Sequence, residues 1–190
     1  MNIGLYSRIT ISDAQGRTAR RGRWRKSRSF VKQFTQLLLC RMSGVSVAEV
    51  RDTGNTSRTV LTSGSNHFLI NASAGMVIRG IVAGTGSTAV TISDYALDTL
   101  ITHGVGAGQL EYAASSFGSN TVAGSTSSFT ASRVLTNSSG ASITVNEIGI
   151  YMEFVDLTTQ RYFCIARDLG GGAVAHGETI TIEYKISVTV

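Results

Sequence analysis

The sequence predicts a mainly β protein: an antiparallel β-sandwich, jelly-roll or immunoglobulin-like, with one N-terminal helix and a basic N-terminal hairpin. Three observations predict it. Glu178 to Val190 reads ETITIEYKISVTV, in which Ile180, Ile182, Tyr184, Ile186, Val188 and Val190 alternate with polar residues without a break. A period of two gives an extended strand one apolar and one wet face, whereas a helix would scatter these side chains around its axis. The preceding hundred residues are short β-rich segments separated by Gly, Ser and Asn, the spacing of a sandwich or barrel. Finally, 21 Gly and no Pro mean that the turns rely on glycine, Asn and Ser.

Taken in order, Tyr6 to Asp13 alternates as a strand, and Asp13-Ala14-Gln15-Gly16 can turn the chain. Arg17 to Lys26 then returns as the second strand of a hairpin. Ser27 or Ser29 is an N-cap for a helix over Phe30 to Met42, where Phe30, Phe34, Leu37, Leu38 and Arg41 recur at three and four residues. Ser43-Gly44 ends it. Val45 to Arg51 and Ser57 to Thr62 are strands around an Asp52–Asn55 turn, followed by strands over His67 to Asn71 and Met76 to Ala83. Ala89 to Ile92 is extended, and Ser93 caps a helical turn at Asp94 to Leu97.

After a glycine-rich turn (Gly104, Gly106, Gly108) come strands at Gln109 to Ala113 and Ser128 to Thr136, then a turn at Asn137 to Gly140. Ser142 to Val155 changes phase: Ile143 and Val145 are odd, Ile148, Ile150 and Met152 even. One extra residue at Asn146-Glu147, a β-bulge, restores a common face. Arg161 to Arg167 is apolar on both faces and is placed centrally, and Gly170 to Gly177 loops back into the final strand. The chain divides into an assembly element over 1–44, hairpin plus amphipathic helix, and a β-sandwich domain over 45–190.

A chain of 190 residues can bury a full core without disulfide or metal. Cys40 and Cys164 are too few for a disulfide framework, and both sit among apolar neighbours, so they read as buried free thiols of a reducing cytoplasm. No stretch approaches the roughly 18 apolar residues of a membrane span. The opening residues lack the apolar core of a signal peptide, and Leu37-Leu38-Leu39-Cys40 imitates a lipoprotein site only superficially. No membrane partner is expected.

The net charge of +5 hides an asymmetry. Through Arg41 ten Lys/Arg face one acid, Asp13; from Met42 onward seven basic residues face eleven acidic ones, so +9 and −4 sum to +5. The strongest polar signal is therefore Arg17, Arg20, Arg21, Arg23, Trp24, Arg25, Lys26 and Arg28, with Lys32 close behind. Arginine forks bind phosphate or carboxylate, and Trp can stack. As a regular strand, Arg21, Arg23 and Arg25 share one side while Arg20, Trp24 and Lys26 share the other. Charge on both faces is costly against the protein's own core, so the element is expected to project or dock on a partner, protein or nucleic acid.

Other chemistry is weak. Gly84-Thr85-Gly86-Ser87 lacks the Lys-Ser/Thr ending and long helix of a phosphate loop, and reads as a tight turn. Asp94 and Asp98 lack a third metal ligand nearby. His67, His103 and His176 lie far apart beside turns, and no nucleophile elbow is present. No cofactor, metal or catalytic residue is expected.

Several segments in order resemble one family. They are Ser27-Arg28-Ser29-Phe30-Val31, Gly80-Ile81-Val82-Ala83-Gly84-Thr85-Gly86, Asp94-Tyr95-Ala96-Leu97, and His103-Gly104 to Gln109-Leu110. Next come Thr144-Val145-Asn146-Glu147-Ile148-Gly149-Ile150-Tyr151, Ala166-Arg167-Asp168 and Gly177-Glu178-Thr179-Ile180-Thr181-Ile182. Together they resemble structural proteins of tailed bacteriophages related to tail, baseplate and other virion components, over about Ser27 to Val190.

The resemblance implies a non-enzymatic virion protein in several copies (tail, baseplate or neck), assembled in the host bacterial cytoplasm among other virion proteins. It also implies an architectural role for the Asn-Glu-Ile-Gly segment. The family's hairpin is less basic, so the role of Arg17 to Lys26 does not carry over. Two alternatives stay open: a capsid-shell or capsid-decorating protein whose basic arm faces packaged genome, and a carbohydrate-binding adhesion module.

Overall fold

A computed structural model describes residues 2–27, 29–61, 68–156 and 159–190. The N-terminal part holds β1 (Asn2–Ser12), β2 (Thr18–Arg21), β3 (Arg25–Ser27) and the helix α1 (Lys32–Ser43). A hairpin of β4 (Val47–Arg51) and β5 (Ser57–Val60) follows, then β6 (Gly80–Gly84) and three short strands, β7 (Glu111–Tyr112), β8 (Ser116–Phe117) and β9 (Thr121–Ala123). Four long strands complete the chain: β10 (Thr126–Thr136), β11 (Ile143–Asp156), β12 (Thr159–Val174) and β13 (Thr179–Thr189).

The larger sheet runs β2-β1-β13-β10-β7, with β3 also on β1 and β8 and β9 also on β10; the smaller runs β12-β11-β6. All these pairings are antiparallel. The terminal alternating stretch lies in the middle of the larger sheet. β13 pairs from Thr179 to Thr189 with β1 on one side and β10 on the other. Residues 2–12 are thus bonded across the boundary drawn at 44/45. Ile180, Ile182 and Tyr184 are fully buried, as their alternation requires, and pack with Leu5, Ile11, Leu135, Ile81, Ile148 and Phe163 in one core between the sheets.

The smaller sheet is covered on its other face too. α1 packs on β12, and Leu97 meets the strand at Gly149, its N–H donating to the Tyr151 hydroxyl at 2.8 Å. That double cover explains why both faces of residues 163–166 are apolar and buried. Yet β12 is a sheet edge rather than the central strand expected. Residues 29–31 close this part of the edge: Phe30 bridges Ala166, Val31 N–H donates to Ile165 O, and Arg167 N–H donates to Ser29 O.

Other expectations shift for local reasons. The register slips between Val145 and Glu147, where the phase change placed a bulge, and again between Ile150 and Tyr151. α1 starts at Lys32 with Val31 at the cap and no side-chain bond there. Ser27 and Ser29 bond each other at 2.5 Å instead of capping, and Lys32 N–H is taken by Ile92 O. Gly44, at φ 71°, ends the helix as expected. Ser93 caps no helical turn, because the Asp94 carboxylate bonds Thr91 N and Oγ1.

Residues 89–92 form no strand, and β6 begins only at Gly80. The loop expected from Gly170 is shorter: β12 continues to Val174 through Gly170, Gly171 and Gly172, whose φ of 145–153° favours glycine. Among the described residues no helix is long and apolar enough to cross a membrane. Arg28, Thr62 and His67 lie outside the described residues.

Candidate functional site

The basic segment does not stand off the body; it forms the outer edge of the larger sheet. Asp13 makes the turn by accepting from Gln15 N and Arg17 N through one carboxylate oxygen and from Arg17 Nε at 2.8 Å through the other. These bonds hold its carboxyl below the usual range, the Arg17 N–H foremost. The returning chain pairs with β1 twice. Arg21 and Arg20 face Thr10 and Ile11; Ser27, Lys26 and Arg25 face Leu5, Tyr6 and Ser7. Between these runs Gly22 N–H donates to Ile9 O, and Arg23 and Trp24 bulge out of the ladder.

That irregularity re-sorts the side chains. A regular strand would place Arg20 with Trp24 and Lys26, as expected above. Instead Arg20, Arg23 and Arg25 line one groove of about 230 Å³, facing Gly170 and Gly171 across it. Trp24 lies on the other side of the sheet, 4.4 Å from the Arg8 guanidinium and 5.0 Å from Lys185 Nζ, measured to its ring centre. Arg8 is itself fastened by Glu183 at 2.5 and 2.7 Å, which raises its pKa. An extra residue in an edge strand shifts the alternation by one, and that is the whole cause of the difference.

Arg20, Arg21, Arg23, Arg25 and Lys26 are exposed, and none forms an ion pair with a described residue. Arg17 is exposed and spends its charge on Asp13. Arg20 makes one long bond, Nη2 to Gly171 O at 3.3 Å. It can lie there because position 172 has no side chain: a Cβ on Gly172 would overlap the Arg20 guanidinium. The glycine run of β12 is therefore half of the site. Sequence reading missed it by taking Gly170 to Gly177 as a loop, although three consecutive glycines inside a strand are a recognisable sign of close approach.

Other polar groups are consumed internally. Glu147 is fully buried and accepts from Gly86 N (3.1 Å), Thr99 N (2.8 Å), Asp98 N (3.0 Å) and Arg167 Nε (2.8 Å). Arg167 also donates to Asp94 Oδ2 at 2.7 Å and to Thr88. Burial alone would raise Asp94, but its bonds from Thr91 and Arg167 hold it below the usual range. Gly84 and Gly86 are glycine because a Cβ at either would come within 2.5 Å of Glu147 Oε1. The Gly-Thr-Gly-Ser turn thus does hold an anion, the chain's own carboxylate.

Arg133 is buried without a carboxylate partner: Ala113, Arg79, Ile81 and Ser73 carbonyls accept its donors and Tyr112 lies 4.9 Å away. Burial pulls its pKa down to about 10. Asp168, half-buried and accepting from the Tyr184 hydroxyl at 3.0 Å, is raised by desolvation, and burial pushes Cys164 up to about 12. Both cysteines are buried free thiols. His103 Nδ1 and His176 Nδ1 each accept a backbone N–H, from Tyr112 and Gly140. Among the described residues, no three His, Cys, Asp or Glu come together as metal ligands. No known family model matches the chain, and no curated protein or solved structure is significantly similar to it.

Proposed function

We propose that the chain is a non-enzymatic structural protein of a tailed-bacteriophage virion. It is present in several copies in the tail, baseplate or neck, and its N-terminal cationic edge is the docking element. One observation carries the reading: Asp52, Asp94, Glu147, Glu153 and Glu183 of the body are spent on internal pairs, while five cations of one sheet edge are unspent. Buried charge of the first kind builds a body, and exposed unpaired charge on a rigid edge serves a contact outside it. The resemblance supports the same reading, because four of its segments supply Gly86, Asp94, Glu147 and Arg167 to a single buried cluster. The protein would then assemble into particles in the host bacterial cytoplasm, beside other virion proteins and further copies of itself.

An antibody against the purified chain, applied to particles sedimented from a source lysate, is expected to decorate fixed symmetric positions under the electron microscope. Recovery of the chain only in the non-sedimenting fraction rejects the proposal. Charge reversal of Arg21, Arg23 and Arg25 to Glu is expected to leave the body folded and to abolish incorporation; normal incorporation rejects the edge as the docking element.

A further inference from the structure

We infer that the groove between the β2–β3 edge and the glycine run of β12 seats a phosphodiester backbone, so that the cationic edge docks on nucleic acid. This rests on the reading of that edge as the docking element and names its partner. Three arginines, Arg20, Arg23 and Arg25, converge on about 230 Å³ of open space, and none has a carboxylate to neutralise it. Gly172 has no side chain to fill the place of the Arg20 guanidinium, which lets the exposed Arg20 fork rest against Gly171 O along the groove. Arginine forks match phosphate oxygens in pairs, and several together on one line give charge-driven binding without base recognition.

The chain's own acids do not supply the missing counter-charge. Asp13, Asp52, Asp94, Glu147, Glu153 and Glu183 are in ion pairs, and Asp168, half-buried, accepts from the Tyr184 hydroxyl. Glu111, Asp156 and Glu178 are held by Ser138, Leu61 N and Ala175 N. That leaves Glu49, on β4, and Asp98, in the loop beside Glu147, two carboxylates against five unpaired cations of the edge. The charge of the edge is therefore left to solvent and free for another molecule to meet.

An acidic protein fits less well than a phosphate chain. Protein interfaces centre on apolar and aromatic residues with isolated arginine anchors, whereas nucleic-acid interfaces gather many positive charges together. Here the unpaired arginines Arg20, Arg23 and Arg25 share the groove with glycines and the aliphatic Ile9, Ile148 and Leu169, and no aromatic lines it; Trp24 lies on the opposite side of the sheet, beside Arg8 and Lys185. Arg21 and Lys26 add charge on that opposite side, facing Thr10 and Tyr6. A phosphodiester chain is narrow enough to enter the groove on the Arg20, Arg23 and Arg25 side alone, whereas a broad acidic surface is not.

The test is fluorescence anisotropy of the full chain with a labelled oligonucleotide of about 20 nucleotides, single-stranded and as the duplex, against labelled poly-glutamate of equal charge. With roughly three phosphates neutralised, affinity should fall about 20- to 40-fold between about 50 and 200 mM salt. Arg20→Gln, Arg23→Gln and Arg25→Gln combined should remove that salt dependence and weaken binding at least about tenfold, as expected for a charge-driven contact. Arg21→Gln with Lys26→Gln should stay within about threefold of the parent. Gly172→Ala, which alters no charge, should weaken binding by displacing Arg20, and circular dichroism confirms that each variant is folded. If Gly172→Ala unfolds, the glutamine triple variant decides alone.

Absence of binding to either oligonucleotide, unaltered binding by the folded triple variant, or poly-glutamate binding as tightly as the oligonucleotides each overturns the inference. Absence of oligonucleotide binding by a parent chain that is found in particles would sink this inference alone. Oligonucleotide binding by a parent chain that is never recovered in particles would sink the virion reading alone.

Discussion

Arg167 and Arg20 meet the same strand, β12, and are treated in opposite ways. Arg167 grows from it and is buried among Glu147, Asp94 and Thr88, with every nitrogen engaged. Arg20 arrives from β2 and rests one nitrogen on Gly171 O, and its charge is unanswered. The first kind of arginine cannot be removed without leaving a carboxylate stranded in a place water does not reach. The second can be removed with little consequence for the body, because solvent already compensates it. The molecule therefore separates charge that builds from charge that is offered.

Breaking the buried side should have the largest effect. Arg167→Met leaves Glu147 without its cation and should cost about 3–5 kcal/mol of stability, read as a lowered denaturant midpoint. Hydrogen exchange should report the same loss at the Gly86, Asp98 and Thr99 amides, whose acceptor is Glu147. An unchanged midpoint would mean that the cluster is not holding the 85–99 segment. Next comes Ile182→Ala, at the centre of β13 and fully buried, where a cavity between the sheets should cost about 2–5 kcal/mol.

Acid should also separate the two regions. Asp94 has a folded pKa below its unfolded value, so the unfolded chain binds the extra proton and stability rises with pH. That contribution is complete above the ordinary aspartate pKa of about 3.9 and fades as pH falls below it. Asp168 works in reverse: burial raises its folded pKa, so it destabilises at neutral pH and is relieved as pH falls through that raised value. Thermal melts from neutral to about pH 3 should show a late acid loss that Asp94→Asn reduces. An equal loss in that variant would move the acid sensitivity elsewhere.

The offered side should barely respond. Trp24→Ala should cost about 0.5–2 kcal/mol, since its ring meets two cations. The glutamine triple variant at Arg20, Arg23 and Arg25 should stay within about 0.5 kcal/mol of the parent in stability. A large destabilisation there would erase the distinction between the two arginine classes.

What the sequence made legible follows from local periodicity. Six alternating residues place β13 correctly, and the odd-to-even change around Asn146 and Glu147 locates a bulge to the residue pair. The positions that resisted are those decided by chain brought from afar. β12 looks central because both its faces are apolar, yet that apolarity answers to α1 and the core, while residues 29–31 close its edge. Residues 85–99 carry no period because Glu147 and Arg167 shape them, from more than 45 positions away in sequence.

Arg133 sits at an inward phase between Ala131 and Leu135, which a reader can see, but the carbonyl ring that makes it bearable belongs to residues 73–113. At the cationic edge the residue types were legible and their sorting was not, because one irregularity at Gly22 exchanges the sides.

The pairing of β1 with β13 has a kinetic consequence. Arg8 and Glu183, neighbours across the ladder, are separated by 175 positions along the chain. Closure of so long a loop must precede the reward of the contacts it makes, which places such topologies among the slower folders. A ribosome-bound nascent chain cannot pair β1 with β13 until Thr179 to Thr189 have emerged. During that interval the free border of β10 stands open to any passing strand, and the cell must keep strangers away from it.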